Sequence, residues 1–226
     1  PSHQYPIGHT LSLKRRLELL QFAKETKAMI LEDDYDSEFR YHGNPIRALY
    51  GLDQCCRTLY LGNFNKIMYH GLRISFIVAP HKIVQKIFEK KRINSRGNSI
   101  IEQAMLSTFI QQGHLSQHIR RMRVHYQEKY QLLQEGIDLH LSEYLKLIPS
   151  DTGLSVVGLF KKEIDDVAFV KYARQFGYDF SPLSSTYNYP ANARSGLVIG
   201  IGNIFKGFIV NEMEGVREVL DRFVKE

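Results

Sequence analysis

Residues 32 to 41 read EDDYDSEFRY and residues 57 to 79 read RTLYLGNFNKIMYHGLRISFIVA, and these two stretches decide the fold. The segments MILEDDY, at 29 to 35, and RTLYLGNF, at 57 to 64, are short apolar runs bounded by turn residues. Such runs are typical of interior strands in a parallel sheet that is covered on both faces. Ligands of open α/β sheets bind beyond the carboxyl ends of the strands. The sequence therefore predicts an α/β fold with Asp33 and Lys66 beside one ligand.

The residue types at these strand ends match the chemical needs of pyridoxal phosphate. That cofactor needs a lysine amine to form an imine with its aldehyde, a carboxylate to keep its pyridine nitrogen protonated, and cations or N–H donors for its phosphate. Lys66 offers the amine, Asp33 the carboxylate, and Arg73 a planar guanidinium that can bind phosphate oxygens. We expect the side chains of Asn63 and Asn65 to supplement Arg73 at the phosphate.

Three motifs carry a resemblance to a known family. They are PSHQYPIG at 1 to 8, EDDYDSEFRY at 32 to 41, and the lysine segment with GLR at 71 to 73. Through them the chain resembles the C-terminal, aminotransferase-like domain of MocR-type regulators of the GntR family, which is built on fold type I of the pyridoxal-phosphate enzymes. The remainder matches in outline, with a long basic helix from about 114 to 141 and a closing strand and helix.

The resemblance implies a role for each matching residue. Lys66 is implied as the lysine that links the cofactor, Asp33 as the partner of the pyridine nitrogen, and Arg73 as a phosphate ligand. Tyr5 stands where many fold type I enzymes carry an asparagine beside the phenolic oxygen of the cofactor. Tyr35, two residues after Asp33, is expected in the same region.

The chain departs from the family pattern at two places. The lysine turn of the family usually reads GTFSK, with hydroxyls that bind the phosphate, whereas residues 62 to 66 read GNFNK. In the strand GLVIGIGN, at 196 to 203, Asn203 stands where the family pattern has an arginine that binds the substrate carboxylate. With Asn203 as the substrate-binding residue, we expect weak binding of amino acids, and from GNFNK a weaker hold on the phosphate.

The start of the chain bears on its domain organisation. Because PSHQYPIG lies in mid-domain in the family, the resemblance implies that residues 1–113 are the C-terminal half of the large cofactor-binding domain and residues 114–226 a smaller α+β domain. The absent half would leave unpaired sheet edges, which a homodimer partner, a swapped copy or the missing half would cover. Any DNA binding would belong to an upstream winged-helix domain outside this chain.

Composition sets the outer limits. The chain has 226 residues, 43% of them hydrophobic, so it can bury a substantial core. No apolar run approaches the about 20 residues that cross a bilayer, and the N-terminus has no signal pattern, which predicts a cytoplasmic protein without membrane contact. Cys55 and Cys56 are adjacent, so they are expected as free thiols, and no metal-ligand spacing is present.

The net charge of +6 invites the hypothesis of a nucleic-acid partner. Its richest basic stretch, HIRRMRVHYQEKYQ at 118 to 131, places apolar side chains on one face of a helix and its cations on the opposite, solvated face. No helix-turn-helix, zinc-finger or RNA-binding motif accompanies it. Direct DNA binding by this chain is therefore not predicted.

The hydrophobic pattern also predicts the order of the elements. A helix from about 12 to 27 is expected, with Thr10 or Ser12 as N-cap and Leu13, Leu17, Leu20 and Ala23 facing inward. Strands are expected near 29–34, 58–62, 74–79, 153–160 and 197–201, and further helices near 81–92, 99–112, 114–141, 165–176 and 211–224. The acidic residues Asp34, Asp36 and Glu38 are interpreted as a solvated turn.

Two functions remain open at this stage. In the first, the chain is the effector-sensing part of a transcription regulator, and a small amine or the cofactor itself is the effector. In the second, it is part of a working aminotransferase whose Lys66 also acts as general base. The absence of a carboxylate-binding arginine favours the first. A third hypothesis, a degraded pocket kept only for folding, also fits GNFNK.

Overall fold

The computed structural model describes residues 1–41, 43–94 and 99–225. Within it the chain forms two compact units, the first made of Pro1–His3 and His9–Met122 and the second of Gln4–Gly8 and Arg123–Glu226. The units divide between Met122 and Arg123, inside a long helix that begins at His114. The domain boundary expected at residue 113 stays a prediction.

The first unit is built around a three-stranded sheet. Helix α1 (Leu13–Thr26) leads into β1 (Ile30–Asp34), and the short helix α2 (Leu49–Leu52) leads into β2 (Thr58–Asn63) and β3 (Ser75–Val78). The strand order is β1-β2-β3, with β1 and β2 parallel and β3 antiparallel to β2. Helices α3 (His81–Asn94) and α4 (Ile100–Gln111) follow, and α5 (His114–Gly136) begins in this unit and ends in the other.

Buried polar side chains connect the elements of the first unit. The Glu32 carboxylate accepts hydrogen bonds from the backbone N–H groups of Leu49 and Tyr50, at 2.8 and 2.9 Å, and so caps the start of α2. The buried Arg16 guanidinium donates to the carbonyl oxygens of Leu11 and Arg47, both at 2.9 Å. Burial lowers the pKa of Arg16.

The expected orientation of α1 is wrong for two of its leucines. Ser12 caps the helix as expected, since its side chain accepts a hydrogen bond from the Arg15 N–H. Ala23 is buried, but Leu13 and Leu17 are 49% and 50% exposed. The helix turns the face of Arg16 and Ala23 inward instead, because the backbone carbonyls that accept from Arg16 lie on that side.

The second unit is an antiparallel sheet with helices. Its strands are β4 (Leu145–Ile148), β5 (Ser155–Phe160), β6 (Ser181–Pro182) and β7 (Gly196–Gly200), in the order β4-β5-β7-β6. Helix α6 (Asp166–Ala173) begins after the N-cap Asp165, and α7 (Ile209–Phe223) closes the chain. Side chains of both central strands form a buried cluster with Leu183.

Most of the predicted elements are confirmed within a few residues of their expected ends. Among the α-helices and strands of the described residues, three short ones were not predicted, namely α2, β4 and β6. They have between two and four residues each, which is too few to show a repeat of apolar residues in the sequence. Cys55 and Cys56 are exposed and form no disulfide. In the part of the chain that the structure describes, no helix combines the length and the apolar character that a membrane span requires.

We expect Gly196→Ala to destabilise the second unit. A Cβ at Gly196 would lie 2.4 Å from the carbonyl oxygen of Gly158 and 3.1 Å from the Cα of Leu159, and both are backbone atoms that cannot rotate away. Overpacking of this kind costs about 1–3 kcal/mol or more. Denaturant unfolding of the chain measures the change.

The matched control for this substitution is Gly200→Ala on the same strand. A Cβ at Gly200 meets no described atom within 4 Å, so the change in unfolding free energy is expected to stay below about 1 kcal/mol. Equal stabilities of the two variants would contradict the tight approach of β5 and β7.

Candidate functional site

The pairing of the first sheet brings four predicted site residues to one edge. Asp33 lies opposite Leu61 in the parallel register, so the carboxyl ends of β1 and β2 coincide, and Lys66 follows three residues after the end of β2. Strand β3 returns antiparallel with Ser75 opposite Asn63, so Arg73, two residues before Ser75, lies at the same edge. The strand register therefore places Asp33, Asn63, Lys66 and Arg73 at one edge of the sheet, and their roles at a cofactor stay a prediction.

Most carboxylates of the acidic segment have partners inside the unit. Glu32 caps α2, as described above, and Asp34 accepts from the Ser37 hydroxyl at 2.8 Å and from the Tyr60 hydroxyl at 3.1 Å. Asp36 contacts Nδ1 of His3 at 2.7 Å. By contrast, the Asp33 side chain makes no hydrogen bond or ion pair with another described residue, and it is exposed at the strand end. Asp33 is thus the carboxylate that remains available for a ligand.

The interpretation of Asp34 and Asp36 as solvated turn residues is wrong. Asp36 is only 2% exposed, and its carboxylate is paired with the ring of the buried His3. Asp34 is partly buried against Tyr60, and burial together with the neighbouring Asp34 carboxylate raises the pKa of Tyr60. Besides the nearby Ser37, their partners are Tyr60 and His3, which lie 26 and 33 positions away in sequence, and no local pattern reveals them.

The lysine turn is held by its own side chains. The Oδ1 atom of Asn63 accepts from the backbone N–H groups of Asn65 and Lys66, at 3.1 and 3.4 Å. The Phe64 N–H donates to the carbonyl of Ile74 at 3.0 Å, which ties the turn to the start of β3. Asn63 was predicted to donate to the phosphate, and its amide nitrogen is still free to do so while its oxygen shapes the turn.

The turn is also supported from α5. Nε2 of His118 donates to the carbonyl oxygen of Ile67 at 2.8 Å. The backbone of Ile67, the residue after Lys66, is therefore held by a helix outside the sheet. No pattern in the sequence predicts this contact, because His118 lies 51 positions away. Lys66 itself is half-buried.

These residues fit a pyridoxal-phosphate group. Like Asp33, the Lys66 amine and the Arg73 guanidinium have no hydrogen-bond or ion-pair partner among the described residues. The Oδ1 atom of Asn65 is buried there without any partner. A carboxylate, an amine and a guanidinium without internal partners at one sheet edge are the three groups that the cofactor requires.

Arg73 has a second feature of interest. Its backbone is left-handed, with φ 48° and ψ 35°, and its side chain is exposed. It lines a cleft of about 750 Å³ between β3, α3 and α4 whose walls are mainly apolar, with Phe76 and Phe88 among them. Lys66 and Asp33 are not part of that cleft. The apolar walls of the cleft are formed in part by the exposed side chains of β3, and apolar walls do not match the charged groups of the cofactor.

The remaining predicted site residues are divided between the units. Tyr35 lies in the first unit, on the turn after β1, with its ring stacked on His3. Tyr5 and Asn203 belong to the second unit, and their proximity to Lys66 stays a prediction. Asn203 is exposed in the loop after β7 and lines a cavity of about 400 Å³ that also contains the Glu212 carboxylate. Burial and Glu212 raise the pKa of Tyr178 in the same cavity.

Comparison with known proteins gives sequences of transcription regulators that are similar to this chain. The chain is 35% identical over 206 residues to the probable rhizopine catabolism regulatory protein MocR of Rhizobium meliloti, covering 90% of this chain and 41% of that protein. It is 30% identical over 204 residues to the pyridoxine biosynthesis regulator PdxR of Corynebacterium glutamicum, covering 90% and 44%. No protein-family model matches the chain.

Solved structures give the same fold. The kynurenine aminotransferase of Pyrococcus horikoshii superposes with a TM-score of 0.88 at 25% identity, covering 100% of this chain and 56% of that chain. The α-aminoadipate aminotransferase LysN of Thermus thermophilus has a TM-score of 0.88 at 23% identity, covering 100% and 58%.

The chain thus has the α/β architecture of the fold type I pyridoxal-phosphate aminotransferases. Its resemblance to the aminotransferase-like domain of MocR-type regulators in the GntR family is confirmed. It spans about two fifths of the length of the curated relatives that it matches first, 41% in the case of MocR.

We expect Asn63→Ala to weaken binding of pyridoxal phosphate about 2- to 10-fold. The variant loses the acceptor that orders the N–H groups of Asn65 and Lys66, and a hydrogen bond of this type contributes about 0.5–1.5 kcal/mol. Asn63→Ser is the matched control, since a hydroxyl can form a similar turn. Absorbance titration with the cofactor measures both affinities, and equal losses in the two variants would contradict the role of the turn.

Proposed function

We propose that this chain is the pyridoxal-phosphate-binding, effector-sensing part of a bacterial transcription regulator that works in the cytoplasm. The observation that carries the proposal is the edge of the first sheet, where the charged groups of Asp33, Lys66 and Arg73 have no partner among the described residues. The similarity to two regulators over 90% of the chain supports the regulatory part.

Each residue at the edge has a defined task in this proposal. Lys66 holds the cofactor by its amine, Asp33 keeps a proton on the ring nitrogen, and Arg73 binds the phosphate with help from Asn63 and Asn65. When bound, the cofactor supplies an aldehyde that captures amines and a ring that accepts electrons. Lys66 would hold the cofactor by its amine, and that amine, whenever it is not linked to the cofactor, would be able to carry a proton.

The effector in this proposal is a small amine or the cofactor itself. Occupancy of the edge changes the state of the regulator because the two forms differ in what Lys66 contacts. DNA is bound through an upstream winged-helix domain, and the exposed strand edges are covered by a homodimer partner or by the remainder of the large domain. Both statements extend beyond the residues of this chain.

Two observations in the second unit support a weak transaminase activity. Asn203 offers a neutral amide where the family pattern has an arginine, and a neutral hydrogen bond is roughly half as strong as one to a charged group. The Glu212 carboxylate lines the same cavity and would repel the carboxylate of an α-amino acid. Amines without a carboxylate are free of this penalty.

A second candidate function is catalysis by a working aminotransferase. It is favoured by the similarity to solved aminotransferases, among them the Pyrococcus horikoshii enzyme at a TM-score of 0.88. Lys66 and Asp33 would have the same roles in this chemistry, so the two functions would differ in how the substrate is held rather than in the cofactor site.

The first test of the proposal is the attachment point of the cofactor. We expect borohydride reduction of the protein in its full natural length, followed by peptide mapping, to find the cofactor on Lys66. Lys66→Arg, which keeps the positive charge but cannot form the linkage, is expected to lose the label. A label on Lys82 or Lys90 with none on Lys66 would contradict the assignment.

The second test is turnover of amino acids. We expect the full-length protein to transaminate common α-amino acids more slowly than the ordinary enzyme range of about 1 to 1000 per second. The reason is the missing charge at Asn203 together with the Glu212 carboxylate. A coupled assay of keto-acid formation measures the rate. Turnover inside the ordinary range would replace the sensor by the catalytic alternative.

A further inference from the structure

His3 and Asp36 form a buried acid–base pair in the first unit, and this pair has no task in the proposed chemistry. Nδ1 of His3 is 2.7 Å from Oδ2 of Asp36, and the two side chains are only 1% and 3% exposed. Titratable groups are rarely buried to this degree unless they are paired, so the contact between the two side chains accounts for their burial.

The pairing fixes which ring nitrogen carries a proton. An ionised carboxylate only accepts hydrogen bonds, so Nδ1 of His3 must be the donor. Nε2 on the other side of the ring is buried and has no hydrogen-bond partner among the described residues. Leaving it unsatisfied is unfavourable. Burial of the ring therefore costs free energy, and simple packing does not account for that cost.

The backbone around His3 is anchored independently of the ring. The carbonyl of Pro1 accepts from the Leu11 N–H at 2.7 Å and from the Arg16 guanidinium at 3.2 Å, and the carbonyl of Ser2 accepts from the Thr10 hydroxyl at 2.9 Å. These bonds tie residues 1–3 to the start of α1. His3 is thus presented from a firm support and is not a free terminal side chain.

The face of the imidazole meets Tyr35. The ring centroids of His3 and Tyr35 are 6.1 Å apart and their planes are inclined by 26°, a stacked arrangement. Tyr35 follows Asp33 by two residues and precedes Asp36 by one, so in the sequence it stands between the available carboxylate and the paired one. Asp36 holds the imidazole by its edge while the imidazole holds Tyr35 by its face.

We propose that His3 is a positioning residue of the cofactor site, which acts by holding the ring of Tyr35 in one orientation. This inference rests on the proposed function, because Tyr35 is taken there as a residue beside the cofactor. The alternative is that His3 and Asp36 only join the start of the chain to the turn after β1. In that case, substitution of His3 or Asp36 would change the stability of the protein, and its effect on cofactor binding would not depend on Tyr35.

A double-mutant cycle separates the two roles. His3→Ala, Tyr35→Ala and the double variant are made in the full-length protein, and the dissociation constant of pyridoxal phosphate is measured by absorbance titration together with the visible absorption maximum. We expect His3→Ala to weaken binding roughly three- to tenfold and to shift the absorption maximum. In the Tyr35→Ala background the same change is expected to have no further effect.

Control variants refine the cycle. His9→Ala removes an exposed histidine from the same segment and is expected to leave the affinity unchanged. His3→Phe keeps an aromatic face for Tyr35 and is expected to restore most of the affinity lost in His3→Ala. If His3→Ala does not fold, Asp36→Asn, which keeps an acceptor but loses the charge that fixes the imidazole, takes its place in the cycle.

The outcomes distinguish this inference from the function on which it rests. If the unchanged protein does not bind pyridoxal phosphate, the proposed function fails and the inference with it. If the unchanged protein binds and His3→Ala binds equally well, the inference alone is overturned. The same conclusion follows if His3→Ala weakens binding by the same factor with and without Tyr35.

Discussion

The parallel pairing of β1 with β2 is the constraint on which the candidate site depends. Successive side chains of a strand point to opposite faces, so Glu32 and Asp34 share one face of β1 and Asp33 has the other. The first two find partners on α2 and on Tyr60, while Asp33 has none among the described residues. A slip of the register by one residue would exchange these faces and leave the wrong carboxylate free.

Buried polar contacts help to hold the surroundings of this edge. Glu32, Arg16 and the pair of His3 with Asp36 are buried, whereas Leu13, Leu17 and the whole of β3 are exposed. Buried hydrogen bonds are directional, so they fix the geometry of a small unit even where its apolar area is modest. The exposed apolar surface, including the cleft beside β3, is of the kind that marks an interaction surface.

The sequence predicted those parts of the structure that have a local signal. The strand that carries Asp33, the strand that precedes Lys66 and the long helix α5 follow from runs and periods of apolar residues. The shared edge of the two strands follows from a general rule of α/β sheets. The sequence could not predict the partner of Asp36, because a turn of acidic residues has the same composition whether it is solvated or buried. The exposed face of α1 was missed for a related reason, since an apolar stripe indicates burial without saying what covers it.

The lysine turn shows how one departure from a family motif has two opposing effects. An amide at position 63 is bulkier than a hydroxyl, which disfavours close approach of a phosphate. Its oxygen nevertheless satisfies the N–H groups of Asn65 and Lys66, so the turn is held by a side chain of the chain itself. A preformed turn loses less conformational entropy when a ligand binds, which offsets part of the weaker contact. Under the proposed sensing function, a moderate affinity would permit exchange of the ligand, and a sensor needs that exchange because its response depends on the occupied fraction changing with concentration.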